Sequence, residues 1–376
     1  MAQLFELYKL KCQEVSIKPM SRFVFDKKCK ANKLSIYTPR KDRCDTCIQF
    51  EINKTLSKEA FDAHRAMKDM ARAEKENDKN LAKQGLIHVI CCDVMKVTLL
   101  PITDASSSYY KMKLAMHNFT VYNLANHEAV CYWFCETEAN LVASTFASCL
   151  VSFLNDLLDT GLKDVTIYSD GCPYQNRNNV LSNALLHFSM ERNIVINQKY
   201  LEKGHTQMEG DSVHSTIEHV LNKTKVYLPY ELLQITERAR KEPPYKAKLL
   251  SYDFFKNYAA NFIYDSIRPG NKPSDPVVND IRQIQYDPKG VIRYRLNFET
   301  PLQELPRRPK KPSSHSFKKL YTNRLPITRD KYEDLKSMQK YIPDEAFLYY
   351  KTLPHVEESY RKKKAQLKSS TTKRDS

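Results

Sequence analysis

An α/β fold, a mixed sheet flanked by helices, is predicted by three observations. Leu86–Pro101 and Val165–Ser169 are almost continuous apolar and β-branched runs, the pattern of strands buried on both faces. Tyr109 to Tyr122 and Glu128 to Cys135 are strand-like and separated by a short Asn-rich connection, which predicts antiparallel neighbours. From Thr137 onward, stretches of helical period alternate with short strands.

Composition narrows the function. The chain of 376 residues holds 60 Lys and Arg against 44 Asp and Glu, a formal charge of +16. Such an excess favours an anionic partner, most often nucleic acid. The opening Met-Ala-Gln-Leu-Phe-Glu lacks a signal-peptide pattern, and no apolar run approaches membrane-spanning length, so no membrane partner is expected. Ten cysteines in such a chain read as reduced thiols or metal ligands rather than a disulfide frame. Seven glycines leave no material for a Gly-rich phosphate loop, and neither Walker nor dinucleotide fingerprint is present.

Residues 4–14 predict a helix, and Ser21 can cap a second one through about Lys30. The pair is compatible with a helix-turn-helix, although ordinary helical hairpins are commoner. Cys44-Asp45-Thr46-Cys47 brings two thiols to one side of a tight turn, which suits zinc. Cys29 upstream and His64 downstream would complete a Cys₃His set, with free thiols as the alternative. Leu56 to Lys83 reads as a long, mostly solvated helix with a thin apolar stripe at Ala60, His64, Met67 and Ala71.

Asp93 stands inside the first buried run, where an unpaired carboxylate is costly, and is therefore a functional candidate. After the Glu128–Cys135 strand, Val142, Phe146, Cys149, Leu150, Phe153, Leu154 and Leu157 share one helix face, stopped at Gly161. The Val165 strand ends on Asp170, followed by Gly171 and Pro173, so the carboxylate sits where a strand opens into a loop. The ordinary alternative is an Asx-turn. Gln175, Asn176, Arg177 and Asn178 follow and are candidates for contacting nucleic acid. A helix near Val180–Glu191 and a strand at Ile194–Asn197 come next. In the last helix of this region Val213, Ile217, Val220 and Leu221 form one face, and Asp211, His214, Ser215 and Glu218 the opposite one. Asp211 either joins the other acids or only caps the helix.

Further on, Tyr230–Lys241 reads as helical, and 281–298 as a hairpin turning at Asp287-Pro288-Lys289-Gly290. Its Arg293 and Arg295 either follow a phosphate backbone or face water. Leu305 to Pro312 resembles a linker, Ile327 to Leu353 two helices with the second starting at Pro343, and the tail a disordered basic segment.

Three strands, a helix, a strand, a helix, a strand and a helix, with acids on the first strand, the fourth strand's end and the late helix, resemble the ribonuclease H-like fold of DDE/DDD transposases and integrases. The stretches Cys92-Asp93-Val94-Met95-Lys96, His117–Tyr122, Tyr168-Ser169-Asp170 with Gln175–Asn178, and Gly204–Asp211 look like a family of transposase-like proteins expanded in arthropods and other animals. The Pro39–Cys47 knuckle and Arg324-Leu325-Pro326-Ile327 belong to the same resemblance, which covers most of residues 1–355. Where other members carry two glycines after the Asp-x-Cys, this chain has Pro173-Tyr174.

The resemblance implies DNA strand cleavage and transfer by two-metal phosphoryl transfer in the nucleus, with DNA as partner and self-association left open. Asp93 would bridge two Mg²⁺ or Mn²⁺ ions, Asp170 and Asp211 would hold one each, and His205 would aid proton transfer. Glu218 and Glu209 remain alternatives for the third acid. The competing expectation is a domesticated or inactive derivative that binds DNA or protein without cutting. The organisation expected is a helical and zinc-knuckle module at 1–55, a charged helical linker at 56–85 and a catalytic domain at 86–225. An extension of helices and hairpin at 226–300, a basic linker with helices at 301–360 and a tail at 361–376 would follow, making a C-terminal α+β extension.

Overall fold

The computed structural model describes residues 2–32, 34, 44–52, 56–161, 163–206, 208–312 and 316–358. The tail expected at 361–376 and the Tyr37–Arg43 part of the knuckle stretch lie outside them.

Helices α1 (Ala2–Glu14) and α2 (Arg22–Ala31) form a pair, the second capped by Ser21 as its sequence suggests. Phe5, Tyr8 and Phe25 pack between them, with ring centroids 5.0–6.0 Å apart. A short helix that the sequence does not announce, α3 (Asp45–Ile52), precedes the long α4 (Lys58–Lys83), and Phe50 of α3 stacks on Phe61 of α4 at 3.9 Å.

The expected Leu86–Pro101 strand is two strands, β1 (His88–Val94) and β2 (Thr98–Leu100), broken at 95–97. There follow β3 (Leu114–Asn123), β4 (Ala129–Cys135), α5 (Ala143–Leu158), β5 (Val165–Ser169), α6 (Asn179–Arg192), β6 (Ile196–Tyr200) and α7 (Glu209–Leu221). The chain continues through α8 (Glu231–Ala239), β7 (Lys246–Leu250), β8 (Gln283–Asp287), β9 (Val291–Arg295), β10 (Gln303–Glu304), α9 (Arg329–Ser337) and α10 (Asp344–Lys351).

The described strands make one mixed sheet in the order β10-β9-β8-β6-β5-β1-β3-β4-β7, with β2 pairing β3. β1, β5 and β6 are mutually parallel, while β1–β3 and β3–β4 are antiparallel. The hairpin β8–β9 extends this sheet beside β6, and β7 closes its other side against β4. The sheet therefore runs across position 225, where the sequence suggests an extension begins. β7 is not readable as a strand because it is short, holds two lysines and no β-branched or aromatic residue, and leaves three of its five residues exposed.

Residue alternation along the strands builds two cores. Phe119, Val121, Tyr132 and Phe134 pack under α5 and α6 against Phe146, Leu150, Leu154 and Leu185. Val89, Cys91, Trp133 and Tyr168 face the other side, with Val213 and Ile217 of α7, Leu232 of α8 and Phe347 of α10. The buried Trp133 indole N–H donates to Thr236 Oγ1 at 3.0 Å.

α4 is mostly solvated, as its composition suggests, with only Ala71, Asp78 and Ala82 buried. Where it meets the sheet, Asp78 accepts from the Tyr168 hydroxyl and Lys199 Nζ, both at 2.6 Å, and Glu74 binds Lys199 and Arg295, both at 2.7 Å. No described helix is long and apolar enough to cross a membrane.

Candidate functional site

The pairing of β1 with β5 sets Cys91 opposite Tyr168, so two residues further on Asp170 is level with Asp93. Both carboxylates fall on the side of the sheet that α7 covers, because Cys91 and Tyr168 pack into that core. Helix α7 begins where its backbone crosses Asp93: a Cβ on Gly210 would lie 3.3 Å from Asp93 Cβ. That approach brings a ligand atom each of Asp93, Asp211 and His214 within 4.8 Å of one another. His214, one turn beyond Asp211, shares the polar face read from the sequence, where it has no assigned role. Its Nδ1 is 3.8 Å from Asp93 Oδ2, and its buried Nε2 has no hydrogen-bond partner.

Burial pushes the Asp93 carboxyl up to about 7, with Asp170 and Asp211 adding to the rise and the Val94 N–H opposing it. Burial likewise pulls the His214 imidazole down to about 4. Carboxylates that repel one another beside an imidazole that burial keeps neutral are the electrostatic profile of a cation site.

The Asx-turn expected of Asp170 and the cap expected of Asp211 are both present. Asp170 Oδ1 accepts from Cys172 N at 3.2 Å and Asn176 Nδ2 at 2.7 Å, an Asx-turn that aims the carboxyl beside Asp93. It lies next to the three-residue group rather than within it. Asp211 Oδ2 accepts from Met208 N at 3.1 Å and so caps α7 as well. Replacing Asp211 with Ala is expected to cost about 1 kcal/mol in urea unfolding without metal. It is also expected to abolish the stabilisation that Mn²⁺ gives the parent; a stability loss with Mn²⁺ stabilisation intact would reduce Asp211 to a cap.

The alternatives for the third acid sit elsewhere. Glu209 is bound to Lys75 at 2.6 Å; burial alone would raise its carboxyl, but Lys75 outweighs this and holds it below the usual range. Glu218 lines a separate cleft with Lys96, Thr103 and Lys223.

His205 is not at the acids. Its Nε2 stands 3.4 Å from Cys47 Sγ and 3.1 Å from His64 Nε2, which is itself 3.2 Å from Cys44 Sγ. These four residues form a second group able to hold a metal ion. Cys29, expected as a ligand, is buried within α2 and is not one of the four; His205, from the β6–α7 loop, takes that place. No pattern within residues 29–64 points to a ligand so distant in sequence.

The nucleic-acid candidates are largely consumed by the fold. Arg177 is 6 % exposed, donates to the Asn279 carbonyl at 2.6 Å and lies over the Tyr200 ring. Asn176 is 2 % exposed and holds Asp170, while its carbonyl accepts from Gln198. Asn178 caps α6, and Gln175 is half-buried. Arg293 pairs with Asp287 and Glu304, and Arg295 with Glu74 and the Phe298 carbonyl. A cleft of about 790 Å³ opens beside Asp170, between Asp170, Gly171 and Cys172 on one side and Cys44, His64, Lys203 and Arg282 on the other; Asp93 and Asp211 do not line it. None of the family models, curated proteins or solved structures compared with the chain matches it.

Proposed function

We propose that this chain is a ribonuclease H-like, transposase-like protein that cuts and joins DNA strands in the nucleus by metal-dependent phosphoryl transfer. The observation that carries the reading is the placement of Asp93 near the end of β1 and Asp170 just past the end of the neighbouring parallel β5, with Asp93 beneath the helix that presents Asp211 and His214. The central order β4-β3-β1-β5-β6, antiparallel on one side and parallel on the other, is the arrangement expected of that fold and supports it.

The donor chemistry fits the implied ions. Asp93, Asp170 and Asp211 offer the hard oxygens that Mg²⁺ or Mn²⁺ requires, and an imidazole nitrogen from His214 beside them favours the transition ion over magnesium. When bound, such ions supply Lewis-acid stabilisation of the leaving oxygen and activation of a water or 3′-hydroxyl. The chain itself holds the acids in register, keeps the imidazole neutral and opens the adjoining cleft to a strand. The Cys44, Cys47, His64 and His205 group is read as a zinc site, since two thiols and two imidazoles are the donors zinc prefers.

Asp170→Asn is the test. Asn retains an oxygen for the Cys172 N–H, so the fold is expected to survive while Mn²⁺-dependent cleavage of duplex DNA is lost. Binding of DNA is expected to remain and to weaken with salt, log K falling by roughly 0.9 per phosphate contacted for each tenfold rise. Cleavage by Asp170→Asn at the parental rate would remove Asp170 from the site, whereas a parent that binds DNA without cutting it would leave the non-cutting derivative in its place. A flat salt response would remove DNA as the partner.

A further inference from the structure

Two cysteines at the start of α3, a histidine on α4 and a histidine between β6 and α7 converge from three parts of the chain. A tetrahedral zinc with bonds of about 2.0–2.1 Å to nitrogen and about 2.3 Å to sulfur sets its ligand atoms about 3.3–3.8 Å apart. The separations of 3.1, 3.2 and 3.4 Å among His205, His64, Cys44 and Cys47 stand within a few tenths of an ångström of that range.

The surroundings are built for the same purpose. His64 turns its Nδ1 toward Glu202 Oε1, 3.8 Å away, which leaves Nε2 directed at the cluster. At that distance the carboxylate acts through its charge rather than a hydrogen bond, and favours the tautomer with the proton on Nδ1 and the Nε2 lone pair toward the cluster. Glu202 is held in turn by Arg282 at 3.1 Å, and its carbonyl accepts from the His205 backbone N–H at 2.9 Å. Gly204 has φ +75°, and a Cβ there would lie 2.8 Å from Cys44 Cα. Only glycine both adopts that backbone and lets the loop touch the Cys44 turn.

The position of this loop gives the cluster a consequence. It ends at Met208, whose backbone N–H is the one capped by Asp211, and Glu209 next to it is tied to α4 through Lys75. Each end of 201–209 is thus anchored, by the sheet at Leu201 and by α4 at Glu209, and His205 is the anchor between them.

We propose that one zinc ion, held by Cys44, Cys47, His64 and His205, staples α3 and α4 to the β6–α7 loop and fixes the first turn of α7, which carries Asp211. Gly204 and His205 are in this sense positioning residues for the acid site. The proposal rests on the zinc reading of the cluster and is independent of strand cleavage.

Zinc content and amide hydrogen exchange of the full chain test it. The parent, Cys29→Ser and His205→Cys are expected to retain about one zinc per chain, the last because a thiolate can replace the imidazole. His205→Ala is expected to lose it, and exchange at residues 209–212 to become at least tenfold faster while the amides of β5 stay protected. Gly204→Ala, which keeps all four ligands, is expected to weaken zinc binding tenfold or more, and serves if His205→Ala does not accumulate folded. A full zinc at parental affinity in His205→Ala or Gly204→Ala would overturn the proposal, as would loss of zinc in Cys29→Ser. So would equal exchange at 209–212 with and without zinc. A zinc-loaded parent that fails to cut DNA would end the phosphoryl-transfer reading and leave each of these outcomes standing.

Discussion

Asp93→Asn is expected to abolish divalent-metal-dependent strand cleavage and, at pH 8, to stabilise the metal-free protein. The second effect follows from the carboxyl's surroundings. Burial and the neighbouring Asp170 and Asp211 raise it from 3.8 to about 7, so in the folded chain it keeps its proton where the unfolded chain has lost it. Between about pH 4 and 7 the folded state binds more protons at this group, and its contribution to stability falls as pH rises, the full penalty being present above pH 7. Asn is neutral at every pH and keeps an oxygen for the Val94 N–H, which donates to Asp93 Oδ1 at 2.8 Å. The gain at pH 8 is expected to be on the order of 2–4 kcal/mol, since every tenfold change in a proton-binding constant is worth about 1.4 kcal/mol. At pH 5 it should be less than half as large, because the penalty builds up from the unfolded carboxyl's ordinary value of 3.8 to the folded value of about 7 and vanishes only below about pH 4. His214 slopes the other way: lowered to about 4, it leaves the folded state with fewer protons than the unfolded one between about pH 4 and 6.5, so its contribution rises with pH. The substitution leaves that slope in place. Urea unfolding at both pH values separates the two. Equal gains at pH 5 and pH 8, or cleavage by Asp93→Asn, would contradict the site described.

Asp78→Ala is expected to destabilise the chain by about 3–5 kcal/mol, the cost of breaking a buried charged pair from one side. Lys199 is 5 % exposed, and Asp78 and Glu74 neutralise it from α4. Removing Asp78 leaves the ammonium with one carboxylate, which Arg295 already shares, and strips the Tyr168 hydroxyl of its acceptor. Since Tyr168 lies two residues before Asp170, the loss loosens α4 from the strand that carries the second acid. Asp69, exposed on the same helix beside Lys68, is the control, and Asp69→Ala should leave the unfolding midpoint unchanged. A midpoint for Asp78→Ala equal to that of Asp69→Ala would mean that α4 is an independent linker after all.

The legible parts of the fold are those whose side chains repeat with one period. β3, β4, α5, α6 and α7 bury apolar side chains at strand or helix spacing and β5 is an almost continuous apolar and β-branched run; all are found as expected except that β3 starts at Leu114 rather than Tyr109 and α5 at Ala143 rather than Thr137. The hairpin β8–β9 is marked by its Pro-Lys turn and Gly290, which has φ +81°. The second C-terminal helix is marked by Pro343, its N-cap. β7, α3 and the break between β1 and β2 are not legible, because none carries such a period.

The three acids, the Cys-x-x-Cys pair and His64 can be named from the sequence because each carries a local reason: a charge in an apolar strand, a carboxylate at a strand's end, paired thiols at one turn. His205 takes the place expected of Cys29, His214 joins the acids without having been assigned a role, and Asn176 and Arg177 take roles other than those expected, through contacts that link residues far apart in the chain. By itself the sequence determined which segments are strands and helices with a buried face, and that carboxylates and thiols stand in them at energetically costly positions. Only the tertiary structure decided which of those groups meet. Periodicity reports how a segment faces its own interior, whereas a ligand set is assembled by strand register and helix crossings, as when Gly204 and Gly210 let two backbones come close enough to bring His205 to Cys47 and Asp211 to Asp93.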